Sequence, residues 1–500
     1  MPSKLSRLKI VFLIIAVIML VLAGAWFWPI RHEEYAIEFD RKMIAVKNSY
    51  LGEPAAAPPG APNIVLILAD DLGKTDISLY GSPFVDTPNI DSIGQDGVTF
   101  TEGYVTAPVC SPSRAGLLTG RYQQRYGFHS ITHDRYAKNI LEYLFFKNVI
   151  AELPYRVSDL AAPPKEEMDK QGLPPSELSL AELAGKYGYR TGIFGKWHLG
   201  YSERSAPYNR GFQENYEFRG GFSMYDHKDD PEVVNHPHDD FTEPFIWARG
   251  RTGASAIRRN GTIIDEERYL TDAIAEETNA FIEASKNRPF FAYVPMLAPH
   301  TPFQATRKHF EDFAHIRDHN KRVYYAMIAS LDEAVGKILR KLEEAGIADN
   351  TLVIFLSDNG GATYTHATEN APLKGGKLSN FEGGINVPFM MRWPAGLQSG
   401  ARYDHPVMAT DIFATVASLL RANLPKDRVY DGVDLLPYLT GRKVGAPHII
   451  LFWQAEGHKA VRRGDYKLIH DEKTGSTVLY NIAEDKNEEN NLAEERPEMV

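Results

Sequence analysis

The first pattern in the chain is three basic residues, Lys4, Arg7 and Lys9, followed by an uncharged apolar run from Ile10 to Ile30. About 20 apolar residues span a bilayer. Basic residues in front predict the N-terminus inside and the remainder outside. Trp26, Phe27 and Trp28 fit an interfacial aromatic belt, and Ala23-Gly24-Ala25 offers a small-residue cleavage site. Residues 1–9 thus read as a cytoplasmic basic segment, and residues 10–30 as a transmembrane signal anchor or a signal peptide. Either way the body works outside the cytoplasm.

Residues 31–60 are mixed and close on Ala55-Ala56-Ala57-Pro58-Pro59-Gly60, which reads as a linker. A continuous apolar run follows, Asn63 to Ala69, ending in Asp70-Asp71. Continuous runs suit strands buried on both faces of a parallel sheet. Three more share the form. Arg190 to Gly195 leads into Lys196-Trp197-His198, Pro289 to Val294 leads to Pro299-His300, and Thr351 to Leu356 leads through Ser357 into Asp358-Asn359.

Helical patterns lie between these runs. Ser179 and Glu182 form a capping-box pattern ahead of Gly188. Residues 268–284 place Ile274, Phe281 and Ile282 on one face, and residues 321–345 carry an apolar stripe that stops at Gly346. Residues 411–420 read as one more helix. Strands alternating with helices predict an α/β fold with a mostly parallel sheet sandwiched by helices. Ligands bind beyond the carboxyl ends of such strands, so the four polar clusters should converge on one edge. Ile449 to Trp453, Lys459 to Ile469 and Val478 to Tyr480 predict a smaller C-terminal antiparallel sheet. The domains expected are 61–425 and 426–500.

Composition narrows the class. The 500 residues are 43% hydrophobic and 24% charged, an ordinary globular balance. A net charge of −10 argues against a general nucleic-acid binder, but a site for an anion needs only local positive charge. The single cysteine, Cys110, rules out a disulfide-stapled scaffold. An exported body without disulfides fits a bacterial periplasm.

Cys110 is left with packing or chemistry as its role. Pro112 suits the first turn of a helix and Gly120 its end, so Cys110 is placed at a helix N-terminus, which favours an anion. Asp70, Asp71, Asp358 and Asn359 are either ordinary turn residues or the oxygen ligands of Ca²⁺ or Mg²⁺. Four basic groups accompany them: Arg114, one helical turn beyond Cys110, Lys196 with His198, His300, and the pair Lys374 and Lys377 ahead of Phe381-Glu382-Gly383-Gly384.

The run Cys110-Ser111-Pro112-Ser113-Arg114, continued to Leu118-Thr119-Gly120-Arg121, resembles the signature of the type I, formylglycine-dependent sulfatases of the alkaline phosphatase superfamily. The resemblance extends over most of residues 60–490 and includes aryl and carbohydrate sulfatases. One departure is Asp485-Lys486, where the family usually has Asp-Pro. The resemblance implies an alkaline-phosphatase-like fold and oxidation of Cys110 to formylglycine by a maturation enzyme. It implies one Ca²⁺ per chain, held by Asp70, Asp71, Asp358, Asn359 and the modified Cys110.

It also implies roles. One hydroxyl of the aldehyde hydrate attacks sulfur, while His300 and Lys377 protonate or stabilise the departing alcohol. The second hydroxyl, helped by His198, expels sulfate. Arg114 and Lys196 orient the hydrate and the sulfate, and Lys374 is a possible support. The substrate expected is a sulfated carbohydrate, or an aryl sulfate. The alternatives are a phosphonate or phosphodiester hydrolase of the same superfamily, and a silent surface-anchored binding protein. Residues 201–265 match nothing assignable. His227-Lys228-Asp229-Asp230, with His236 and His238, are either substrate contacts or a solvated loop.

Overall fold

The computed structural model describes residues 4–26, 36–37, 39–133, 136–137, 158–161, 165–238, 243–455 and 457–500. Its centre is a ten-stranded sheet. In chain order the strands are β1 (Asn63–Ala69), β2 (Val98–Phe100), β3 (Arg190–Lys196), β4 (Glu214–Phe218), β5 (Arg258–Arg259), β6 (Thr262–Ile263), β7 (Phe290–Pro295), β8 (Thr351–Ser357), β9 (Phe389–Arg392) and β10 (Ala401–Tyr403). Their spatial order is β6-β5-β4-β3-β7-β1-β8-β9-β2-β10. The central five, β4-β3-β7-β1-β8, run parallel. β9 turns antiparallel to β8.

The continuous apolar runs are explained by two cores. In β1, Ile64, Leu66 and Leu68 enter one core, and Val65, Ile67 and Ala69 the other. A strand with period two and helices on both faces needs apolar residues at every position. Helices α1 (Lys4–Trp26), α2 (Arg41–Gly52), α3 (Pro88–Gln95), α4 (Cys110–Thr119), α5 (Leu180–Lys186), α6 (Leu270–Ser285), α7 (His319–Glu344) and α8 (Thr410–Leu419) are the main ones. α4, α5 and α8 supply the first core; α3, α6 and α7 supply the second.

The predicted ends hold. Ser179 Oγ accepts from the Glu182 N–H at 3.0 Å, and Glu182 Oε2 accepts from the Ser179 N–H at 2.7 Å. Gly120 caps α4 in the left-handed conformation, φ 66°, and donates its N–H to the Gly116 carbonyl. Within residues 31–60, Asp40 caps α2. Lys47 of α2 is buried against Glu182 at 2.7 Å.

A four-stranded antiparallel sheet follows: β11 (Ile450–Ala455), β12 (His458–Arg463), β13 (Tyr466–Asp471) and β14 (Thr477–Asn481). The run Lys459–Ile469 is two strands, because Gly464 turns the chain at φ 58°. Leu451, Trp453, Ile469 and Tyr480 share the core of α4 and α8.

Among the described residues, no helix is long and apolar enough to cross a membrane. In α1 the described side chains cover residues 9–24. The rest of the expected 10–30 segment, including Phe27 and Trp28, lies outside the described residues.

Candidate active site

The four polar clusters meet at the carboxyl ends of β1, β3, β7 and β8. Asp70 and Asp71 follow β1, Lys196 ends β3, His300 follows β7, and Asp358-Asn359 follow β8. Cys110 opens α4 beside them, its Sγ 3.4 Å from Asp70 Oδ1 and 4.0 Å from Asp71 Oδ1. All of these side chains are buried except His300, which keeps 11% exposure. Asp71 at φ 60° and His198 at φ 53° hold left-handed backbone, a strain that recurs at functional sites.

Three carboxylates face three fixed cations. Arg114 Nε donates to Asp358 Oδ2 at 2.8 Å, and its Nη1 donates to the Lys196 carbonyl at 2.9 Å. Lys196 Nζ lies 2.5 Å from Asp70 Oδ2, and Lys377 Nζ lies 2.8 Å from Asp71 Oδ2. Asn359 Nδ2 donates to Asp71 Oδ1 at 2.7 Å. Burial raises the Asp71 pKa, but Lys377, His300 and Lys196 outweigh it and hold the group down to about 2. Burial, with Asp70 beside it, pushes Asp358 up to about 6.

The two histidines have different settings. His198 Nε2 lies 3.1 Å from the Thr132 carbonyl, so Nε2 carries the proton. Its Nδ1 is buried without a hydrogen-bond partner, and burial, with Lys196 and Arg114 nearby, holds the ring well below the ordinary histidine pKa. A Cβ at Gly221 would stand 2.9 Å from the His198 ring, so only glycine lets that loop close over it. His300 Nδ1 lies 2.5 Å from the Thr301 carbonyl, and its Nε2 lies 3.6 Å from Asp71 Oδ2. Burial, then Lys196 and Lys377, pull His300 down to about 3, so it is neutral near pH 7 in this arrangement. Burial and Asp358 push the Cys110 thiol well above its ordinary pKa. As a plain thiol it is a poor nucleophile, since the thiolate is the reactive form.

Residues 62–422 match the family described as Sulfatase. The chain belongs to the sulfatase family. Residues 377–499 also match the family described as N-sulphoglucosamine sulphohydrolase, C-terminal. The N-acetylgalactosamine-6-sulfatase of Mus musculus is 35% identical over 426 residues, covering 84% of this chain and 74% of that protein. The steryl-sulfatase of Rattus norvegicus is 31% identical over 470 residues, covering 82% of this chain and 76% of that protein. The crystal structure of Ps i-CgsB in complex with k-i-k-neocarrahexaose is 31% identical with a TM-score of 0.71, covering 88% of this chain and 90% of that one. The chain is therefore a sulfuric ester hydrolase.

Ten of the residues singled out in the sequence lie together here: Asp70, Asp71, Cys110, Arg114, Lys196, His198, His300, Asp358, Asn359 and Lys377. The donor set fits a hard dication. Asn359 Oδ1 is buried without a hydrogen-bond partner, an acceptor that requires satisfaction. Asp70, Asp71, Cys110 and His300 each place one donor within 4.8 Å of the others. His300 is the nitrogen of that set, and hard cations prefer the oxygens around it.

Lys374 stands elsewhere. Its Nζ donates to the Glu488 carbonyl at 2.8 Å and lies over the rings of Phe381 and Tyr480. Glu382 is also turned away from Cys110. It pairs with Lys467 of β13 at 2.8 Å, and Lys467 also reaches Glu488 at 2.9 Å. The C-terminal sheet thereby grips the loop that carries Lys377.

A cavity of about 100 Å³ opens onto Cys110, His198, His300 and Lys377. Several of its wall residues come from segments the sequence left unassigned: Thr132, Tyr201, Gly221, Phe222, Ile246 and Tyr364. His236 and His238 pack on each other, His236 also on His319 and His238 on Phe303, outside that wall. His227, Lys228 and Asp229 are exposed. A further buried group behind the Asp70–Asp71 loop escaped the sequence. Asp76 Oδ2 accepts from the Gly73 N–H at 3.1 Å, from Thr368 Oγ1 at 2.8 Å and from Tyr324 OH at 2.7 Å. It joins the Asp70–Gly73 turn to the loop leading to Lys377.

Proposed function

We propose that this sulfatase hydrolyses sulfate monoesters of carbohydrates outside the cytoplasm, using Cys110 as formylglycine and one Ca²⁺. The observation that carries the reading is the charge balance around Cys110. Asp70, Asp71 and Asp358 face Arg114, Lys196 and Lys377 in equal number. A dication on this neutral set leaves a net positive pocket that suits a sulfate ester.

Asp70, Asp71, Asp358 and Asn359 would hold the cation, which supplies Lewis-acid charge to the sulfate oxygens when bound. Formylglycine at position 110 supplies a hydrated aldehyde, whose two hydroxyls serve attack and release. The remaining work falls to side chains already in place. Arg114, anchored on Asp358 and the Lys196 carbonyl, and Lys196 orient sulfate. The Nδ1 lone pair of His198 accepts a proton. Lys377 donates one to the departing alcohol, because His300 is held neutral and serves better as a hydrogen-bonding partner.

A sugar substrate draws support from relatives. One is named for N-acetylgalactosamine 6-sulfate chemistry, and another is crystallised with k-i-k-neocarrahexaose. Export, with residues 10–30 as anchor or signal, draws support from α1, whose side chains from Ile10 to Leu22 are largely exposed. A maturation enzyme acting on Cys110 belongs to the same proposal, as does the division at 425/426. The test is sulfate release from a panel of sulfated mono- and disaccharides by the Ca²⁺-loaded protein. Turnover of sugar sulfates supports the reading; turnover of aryl sulfates alone overturns the carbohydrate assignment.

A further inference from the structure

The C-terminal sheet carries a second recess, of about 350 Å³, away from Cys110. It forms on the outer face of β11, one of the two edge strands. Leu451 and Trp453 of β11 face the core, whereas Phe452 faces outward and is 51% exposed. The floor is apolar: Phe452, Val461 and Leu468, with Tyr122 alongside. The rings of Tyr122 and Phe452 meet edge-on at 6.2 Å. Tyr122 OH accepts from the Phe452 N–H at 3.3 Å, and the Tyr122 N–H donates to Asp431 at 2.8 Å. The recess is thus braced between the loop after α4 and the small sheet.

The rim is polar, and its two charged residues, Arg125 and Lys459, are basic. Arg125, Lys459 and His470 line it, with the amides of Gln124 and Gln454. Among the described residues that line it, none is acidic. In a chain of net charge −10, such a groove stands out. Asp431 and Glu472, which pair with Arg125 and Lys459, lie outside the lining. The Lys459 pair joins two half-exposed groups, a weak tie that leaves the ammonium free to exchange partners. This recess and the catalytic cavity share no lining residue.

An aromatic and aliphatic floor takes the C–H face of a sugar ring. Amides on the rim bond its hydroxyls, and cations pair with its sulfates. We propose that this recess binds a segment of a sulfated polysaccharide and holds the polymer on the enzyme while another residue is hydrolysed at Cys110. The inference rests on the carbohydrate reading above.

The test compares the full-length protein with Phe452→Ala/Lys459→Ala and with Phe452→Trp. Binding to immobilised carrageenan, chondroitin sulfate and heparin is measured beside turnover of 4-nitrophenyl sulfate. The double variant should lose affinity for at least one polymer by about tenfold or more, with aryl-sulfate turnover unchanged. Phe452→Trp, with its larger aromatic face, should keep that affinity. Polymer affinity unchanged in the double variant overturns the proposal, as does wild-type protein that binds none of the three. A double variant that only turns a dimer into a monomer assigns the face to a second copy and overturns it too. Failure of the carbohydrate reading shows differently: sugar sulfates are not turned over, whatever the recess binds.

Discussion

Lys377 Nζ lies 2.8 Å from Asp71 Oδ2, so two loops far apart in sequence bring the ammonium and the carboxylate together. Lys377 follows the Gly375-Gly376 turn, and Asp71 follows β1. In the proposed reaction the pair would set a proton donor beside the leaving group, which a sugar alcohol needs and a nitrophenol hardly does.

Lys377→Met should therefore separate substrates by leaving group. Turnover of a sugar sulfate should fall about 10²- to 10⁴-fold, the usual worth of general acid catalysis. Turnover of 4-nitrophenyl sulfate should fall less than about tenfold if that proton is the main contribution. Equal losses on both substrates would assign Lys377 to sulfate binding instead.

The grip of the C-terminal sheet on the Lys377 loop gives a stability prediction. Lys467, Glu382 and Glu488 are all buried, and removing the lysine leaves two carboxylates without their cation. Lys467→Met should cost about 3–5 kcal/mol in urea denaturation. Adding Glu488→Gln should recover part of that loss, because one of the two stranded charges is gone.

Much of this was legible in the sequence. The strands of the central sheet announce themselves as continuous apolar runs because both faces of each are covered. Asp70, Asp71, Lys196, His198, His300, Asp358 and Asn359 follow because each stands within a few positions of a strand's carboxyl end. Lys374 was harder. It sits three residues before Lys377, but Gly375 at φ 72° reverses the chain between them. One lysine then faces Asp71 and the other faces Glu488 and Tyr480. The cavity wall was not legible either. Thr132, Tyr201 and Tyr364 come from loops without periodicity, and only the tertiary fold brings them together.

His448 supplies a pH prediction outside the catalytic centre. Its Nε2 lies 2.8 Å from Asp411 Oδ1. Burial pulls the histidine pKa down, but the charge and hydrogen bonds of Asp411 outweigh it and leave a raised value. A raised folded-state pKa means stabilisation that is full below the unfolded value near 6.5 and is lost as pH rises through the folded value. His448→Asn should lower the urea midpoint at pH 6 more than at pH 9. A gap of the same size at both values would contradict the pairing.

Metal removal tests the oxygen cluster. Chelation should abolish sulfate release, and Ca²⁺ should restore it while raising thermal stability in a concentration-dependent way. At a hundred times its Kd, the ion should add about 2.7 kcal/mol. Asn359→Ala should shift the restoring Ca²⁺ concentration upward without changing the fold, as read by circular dichroism.

In the proposed reaction Cys110 acts as formylglycine. Peptide mass across residues 104–121, measured beside sulfate release on the same preparations, tests it most directly. The converted peptide should be lighter than the cysteine form by about 18 Da. Activity across preparations should scale with the converted fraction. Full activity in a preparation whose Cys110 peptide keeps its thiol mass would contradict the account.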